Sequence, residues 1–209
     1  MSMSESNRIE INRAPVMTLW AAIVAERLGH AHETALTLGR AVAGLNAQSK
    51  AVHIGLREPA TAAQRAERRA KAPPESVSLL GRAVPVVKTP AGLRAAKDGK
   101  ADSPQAVERY LASRFGDSLE PARAAMVALA RSFPPKELAE LAYSLYERFR
   151  PEVPAGQRGW GAKGVLDLPR LASLAPAAAA APRARRTAAV SAPAKKRATR
   201  TAAARRSAR

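Results

Sequence analysis

Apolar residues return at helical spacing in two stretches near the start of the chain. From Pro15 to Leu28 they recur every three to four residues, and Gly29 follows where a helix is expected to end. A second stretch with the same periodicity runs from about Glu33 to Ser49. Because only a short connection separates the two stretches, the pattern predicts a helical hairpin.

Three further amphipathic stripes follow residue 102. The first begins behind Asp102 or Ser103, either of which can cap a helix, and Gly116 ends it. The second stripe ends at Pro134, and the third ends before Pro151. Short connections bring the stripes together, so this region is expected to fold as a three-helix bundle that buries its apolar faces.

Strand-like composition separates the two helical regions. Residues 77–80 and 83–87 are rich in valine and leucine, and residues 89–92 have the proline and glycine of a tight turn. A chain that returns through residues 93–95 would complete a small hairpin. Pro85 has no backbone N–H to donate, which favours an edge position for its strand.

The predicted fold is therefore mainly α: a small helical bundle with a minor β-hairpin, followed by a disordered basic C-terminal tail. Residues 59–76 are basic and contain the pair Pro73-Pro74. They are interpreted as a linker, and the alternative is a short exposed helix that the prolines end. The predicted organisation is a disordered lead-in (residues 1–13), a helical hairpin (14–58), a basic linker (59–76), a β-hairpin plus three-helix bundle and glycine-rich loop (77–174), and a disordered cationic tail (175–209).

Charge is distributed very unevenly. The chain has 35 Lys and Arg against 17 Asp and Glu, a net charge of +18. Residues 176–209 carry ten of these cations and no acidic residue, among small residues and prolines that cannot offset the entropy lost on folding. Such a segment is typical of polyanion binding, DNA more than RNA. The predicted nucleic-acid-binding residues are Arg183, Arg185, Arg186, Lys195, Lys196, Arg197, Arg200, Arg205, Arg206 and Arg209.

Two resemblances accompany this pattern. The composition of residues 176–209 resembles the Ala/Lys/Arg/Pro tails of linker-histone-like bacterial proteins, which implies sequence-tolerant DNA binding or compaction. The body resembles a family of bacterial proteins of uncharacterised function in the segment LGRAVAGLNAQSK, residues 38–50, and in the glycine-rich loop. The second resemblance implies no particular activity.

The glycine-rich loop reads GWGAKG over residues 159–164 and formally matches a dinucleotide-binding pattern. No βαβ unit surrounds it, so an anchoring role for Trp160 is favoured over cofactor binding. Arg158 and Lys163 flank that aromatic residue and are predicted as secondary phosphate contacts. Residues 165–174 are expected to dock back on the bundle.

Candidate chemistry elsewhere is sparse. The absence of cysteine excludes disulfides and thiol catalysis, and no recognisable grouping of nucleophile and base appears. His30 and His32 are two residues apart at a helix start, so their rings are expected to diverge, and no third metal ligand is evident. Neither a metal site nor a cofactor is predicted. The helical hairpin is interpreted as structural rather than as a DNA-reading helix-turn-helix, with Asn46, Gln48 and Lys50 as a polar cluster to test.

Together these features predict a non-enzymatic nucleic-acid-associated protein of the bacterial cytoplasm and nucleoid, which binds DNA through its tail. No apolar run is long enough to span a membrane. The alternative is a helical protein-interaction or regulatory module that the tail tethers to RNA, ribosomes or anionic surfaces. In either case the helical body is the expected surface for self-association or for a protein partner.

Overall fold

The structure, a computed structural model, describes residues 8–71, 73, 75–156 and 162–176, the side chains of residues 68, 69 and 71 excepted. The predicted lead-in falls outside these residues up to residue 7. The ten tail cations, Arg158 and Trp160 also lie outside them.

Helices form most of the described chain. The helices are α1 Arg13–Arg27, α2 His32–His53, α3 Ala62–Lys71, α4 Pro104–Phe115, α5 Leu119–Arg131, α6 Pro135–Phe149 and α7 Leu168–Ser173. The mainly helical body is confirmed. Helices α1 and α2 pack side by side, and the proline and glycine signals after residue 102 mark the ends of α4, α5 and α6. These three helices pack more on α1 than on one another, which differs from the predicted three-helix bundle. None of these described helices has the length and apolar character needed to cross a membrane.

The strands form two sheets, which corrects the prediction of a single minor hairpin. Strands β2 Glu75–Leu79, β3 Arg82–Thr89, β4 Gly92–Lys97 and β5 Lys100–Ala101 make a four-stranded antiparallel sheet. Strands β1 Arg8–Asn12 and β6 Lys163–Asp167 pair antiparallel as a separate two-stranded sheet. Of the strands that were not predicted, β5 pairs with its sequence neighbour β4, whereas β1 and β6 pair across most of the chain.

Three local predictions also change. Residues Arg8–Asn12, expected in a disordered lead-in, form β1, whose Ile9 and Ile11 are buried. Helix α3 occupies most of the predicted linker, so the helical alternative is the one observed. The edge position expected for Pro85 is wrong, since β3 lies between β2 and β4. The β3–β4 pairing starts only at Val86, which leaves Pro85 outside that ladder.

Helix α1 is the centre of the core. Every residue from Pro15 to Ala25 is buried, as expected for a helix that is apolar on all sides. Its Trp20 packs edge-on against Phe149 of α6 and donates its indole N–H to the carbonyl oxygen of Ala142 at 2.8 Å. Helices α2, α4, α5 and α6 all contact α1, so one core joins the hairpin to the bundle.

The four-stranded sheet is joined to α2 through hydroxyl groups. The Thr34 hydroxyl donates to the carbonyl oxygen of Leu93 at 2.7 Å, and the Thr37 hydroxyl accepts the N–H of Ala95 at 3.1 Å. This attachment covers the first turns of α2. It also sets the start of β3 beside the second half of α2.

Candidate functional site

A cleft of about 270 Å³ opens where four elements converge. The start of α1, the last turns of α2, the start of β3 and the end of α6 form its walls. Four long cationic side chains line it, one from each of these places: Arg13, Lys50, Arg82 and Arg150. The cleft is therefore built from residues that are far apart in the sequence.

Arg82 is held in place by a buried amide. The Oδ1 atom of Asn46 accepts hydrogen bonds from Nη2 and Nε of Arg82 at 3.0 and 3.2 Å. Asn46 is only 3% exposed, and its Nδ2 donates to the carbonyl oxygen of Val42 at 3.1 Å, which orients the amide. Because the amide oxygen is neutral, this contact positions the guanidinium without cancelling its charge.

Arg13 is held in a similar way. Its Nε donates to the carbonyl oxygen of Pro151 at 3.1 Å, another neutral acceptor. The buried phenol of Tyr146 in turn donates to the carbonyl oxygen of Arg13 at 3.3 Å. Burial raises the pKa of Tyr146 well above its usual range, so this phenol is a neutral donor at physiological pH.

One carboxylate, that of Glu147, lines the cleft. Its Oε2 lies 3.0 Å from Nη1 of Arg150, one helical turn away, and it is close enough to Tyr143 to affect that phenol electrostatically. Partial burial, followed by the nearby Glu147 charge, raises the pKa of Tyr143. Glu147 is thus already paired with Arg150 on the α6 side of the cleft.

The balance of charge makes the cleft electropositive. Four cations face one carboxylate, and within the described part of the chain Arg13, Lys50 and Arg82 form no ion pair with any carboxylate. The donors present are guanidinium, ammonium and phenol groups, which bind phosphate or carboxylate oxygens. His53 also lines the cleft. The arrangement of donors is suited to holding an anion.

The predicted polar cluster of Asn46, Gln48 and Lys50 is divided by the helix. Asn46 and Lys50 are four residues apart, share one face of α2 and both line the cleft. Gln48 lies instead beside a smaller cavity between α2 and the start of α3. A polar asparagine within an apolar stripe was the one sequence signal that pointed to this site.

Two other residues considered in the sequence, Lys163 and His32, do not line the cleft. Lys163 lies on β6 with an exposed side chain, and its Nζ is 4.0 Å from an oxygen of Glu10 in β1. His32 is exposed at the start of α2, and its Nδ1 lies 2.5 Å from a carboxylate oxygen of Glu26. Over residues 8–71, 73, 75–156 and 162–176, no group of three or more His, Asp or Glu is placed to hold a metal ion.

Sequence reasoning missed Arg13, Arg82 and Arg150. Each stands in an unremarkable basic or polar context, and only the packing of α1 on α2, of β3 on α2 and of α6 on α1 brings them together. Comparisons with models of protein families, with curated proteins and with solved structures found no match to this chain. The family resemblances drawn from composition and from residues 38–50 therefore stay predictions.

Proposed function

We propose that this protein is a non-enzymatic nucleic-acid-associated protein that binds DNA with little dependence on base sequence. The observation that carries the proposal is the charge of residues 176–209, which have ten cations and no acidic residue. An extended cationic segment releases counterions condensed on the phosphate backbone, and this gain is independent of sequence. The nucleoid is the corresponding place of action in a bacterial cell.

The body contributes less to this electrostatic attraction. Residues 1–175 carry 25 basic and 17 acidic residues, a difference of +8 over 175 positions, against +10 over the following 34. Many of the body's cations are also engaged by carboxylates, as Lys88 is by Glu75 and Arg150 by Glu147. The tail is therefore the main source of affinity for duplex DNA, and the body contributes location, partner choice or self-association.

A salt titration tests this division of labour. Full-length protein is compared with a variant in which the ten cations of residues 176–209 are replaced by Gln, on duplex DNA, single-stranded DNA and RNA. If about six phosphates are neutralised, log affinity should fall with log salt concentration at a slope of roughly −5 on duplex DNA. The neutral-tail variant should bind weakly, with a much flatter slope.

A variant with residues 176–209 in shuffled order is the matched control, because it keeps length and charge. It should bind like the natural chain if the mechanism is counterion release. Equal affinity of the natural and neutral-tail proteins would contradict the proposal. Protein partners that remain after nuclease treatment of a pull-down would instead favour the alternative of a tethered interaction module.

A further inference from the structure

We propose that the cleft between α1, α2, β3 and α6 is a binding site for the phosphate group of a nucleotide, either free or at the end of a nucleic-acid strand. The site belongs to the folded body and is separate from the charge of residues 176–209. It goes beyond the proposed function, because sequence-independent binding of a phosphate backbone through many cations requires no shaped cavity.

The first argument is the preorganised guanidinium of Arg82. Two of its N–H groups are held by Asn46, and its Nη1 donates to no residue that the structure describes. A planar guanidinium with donors to spare can bind two phosphate oxygens at once. Since the buried amide already sets its position, little side-chain entropy remains to be lost when an anion binds.

The second argument is the local excess of positive charge. Arg13 and Arg82 are both half-buried, and both donate hydrogen bonds to neutral oxygens. Their positive charges are therefore partly buried without being balanced by a carboxylate. Lys50 is exposed at the rim, in the last turn of α2, where the helix dipole stabilises a cation. A dianionic phosphate would relieve the repulsion among these three groups.

The third argument is size and the presence of an aromatic edge. A volume of about 270 Å³ accommodates a phosphate with part of an attached sugar and base, and is small for a dinucleotide cofactor. The ring of Tyr143 lines the cleft and is 40% exposed. An exposed aromatic face beside a phosphate site provides a surface on which a base can stack.

The experiment uses full-length protein and follows backbone amide signals by NMR during titration with inorganic phosphate, 5′-AMP and adenosine at constant ionic strength. The variants are Lys50→Ala and Arg82→Gln. Lys50 is exposed, so its replacement should leave the fold intact and keeps the test valid if Arg82→Gln destabilises the protein. Lys136→Ala, an exposed cation at the other end of α6, is the matched control.

The proposal predicts shifts confined to residues around 46–53, 82 and 143–150 with phosphate and with 5′-AMP. Loss of one charged hydrogen-bonding partner should weaken binding by about tenfold or more in Lys50→Ala, while Lys136→Ala binds like the natural protein. No localised shifts, or equal binding by all variants, would overturn it, and so would adenosine binding as tightly as 5′-AMP.

A second arm identifies the source of the phosphate. The neutral-tail variant is titrated with a short single-stranded oligonucleotide carrying either a 5′-phosphate or a 5′-hydroxyl. A preference for the 5′-phosphate that Lys50→Ala removes assigns the site to strand ends, whereas cleft-dependent binding of 5′-AMP alone assigns it to free nucleotides. Loss of duplex binding in the neutral-tail variant with phosphate binding retained would separate this inference from the proposed function.

Discussion

Gly39 of α2 lies directly against the backbone of Thr18 in α1. A Cβ atom at position 39 would come within 2.5 Å of the Thr18 carbonyl oxygen and 2.8 Å of the backbone nitrogen of Ala22. Both neighbours are backbone atoms of a buried helix, which cannot rotate aside. The absence of a side chain at Gly39 therefore sets how closely the two helices of the hairpin approach.

Replacing Gly39 by Ala should lower the free energy of unfolding by about 1–3 kcal/mol, because the helices must separate to admit the methyl group. Gly44→Ala is the control in the same helix, since a Cβ there meets nothing within 4 Å. It should be neutral or stabilising by up to about 1 kcal/mol, as alanine favours helix. Urea denaturation of both variants measures the difference; equal stabilities would contradict the close approach.

Asn46 supports both the fold and the cleft. Asn46→Ala removes the acceptor of Arg82 and the donor to Val42, and should cost about 1–3 kcal/mol of unfolding free energy. Gln48→Ala, exposed on the same helix, should change stability by no more than about 0.5 kcal/mol. Thermal and urea unfolding provide the comparison. A stable Asn46→Ala protein would show that the amide does not hold Arg82 in solution.

Arg94 is a buried cation with a half-exposed partner. Its side chain is 5% exposed and pairs with Glu33, and its Nη1 also donates to the carbonyl oxygen of Leu93 at 3.0 Å. Glu33→Gln removes the compensating charge and should destabilise the protein by about 1–3 kcal/mol. The exposed pair Lys88–Glu75 supplies the control, since Glu75→Gln should cost less than about 1 kcal/mol. Similar losses in both variants would indicate that solvent screens Arg94 as well.

Tyr146 should make stability fall in alkaline solution. Its pKa is raised in the folded protein by burial, whereas an unfolded tyrosine titrates near its ordinary value of 10.0. Above that pH the unfolded chain loses a proton that the folded chain keeps, so unfolding becomes more favourable as pH rises. Below the pKa of the unfolded tyrosine, the stability that comes from keeping Tyr146 protonated is fully present.

Tyr146→Phe separates this effect from other alkaline titrations. Above pH 10 the stability of the natural protein should fall more steeply than that of the variant, by about 1.4 kcal/mol per pH unit for one proton. At neutral pH the variant should be less stable by about 1 kcal/mol, through loss of the hydrogen bond to Arg13. Urea midpoints measured across the alkaline range give both numbers. Parallel pH profiles would contradict a protonated buried phenol.

Local signals explain why part of the fold was predictable. Ser103 caps α4 by accepting the N–H of Ala106, Gly116 follows its end, and Pro135 begins α6, so the sequence marks these helices by itself. Strand β1 carries no comparable mark. Its Ile9 and Ile11 alternate within a polar stretch, and they are buried only because β6 pairs beside them.

The cleft was unpredictable for a related reason. No spacing rule connects Arg13, Arg82 and Arg150, whose proximity depends on the separate packing of α1 on α2, of β3 on α2 and of α6 on α1. Pro85 shows the same limit in the sheet: its missing donor favours an edge, but the ladder to β4 begins one residue later. The residue pattern within a segment predicts whether it forms a helix or a strand. Which other helices and strands it packs against depends on how the whole core assembles.

The pairing of β1 with β6 has a consequence for biosynthesis. Ile9 lies opposite Leu166, so a strand made among the first residues must wait for one made more than 150 positions later. Until β6 has been synthesised, Ile9 and Ile11 cannot be buried beside it. They stay exposed, where they can bind chaperones or promote aggregation. Such late closure of a distant pair also slows folding, because the loop entropy is lost before the contact is gained.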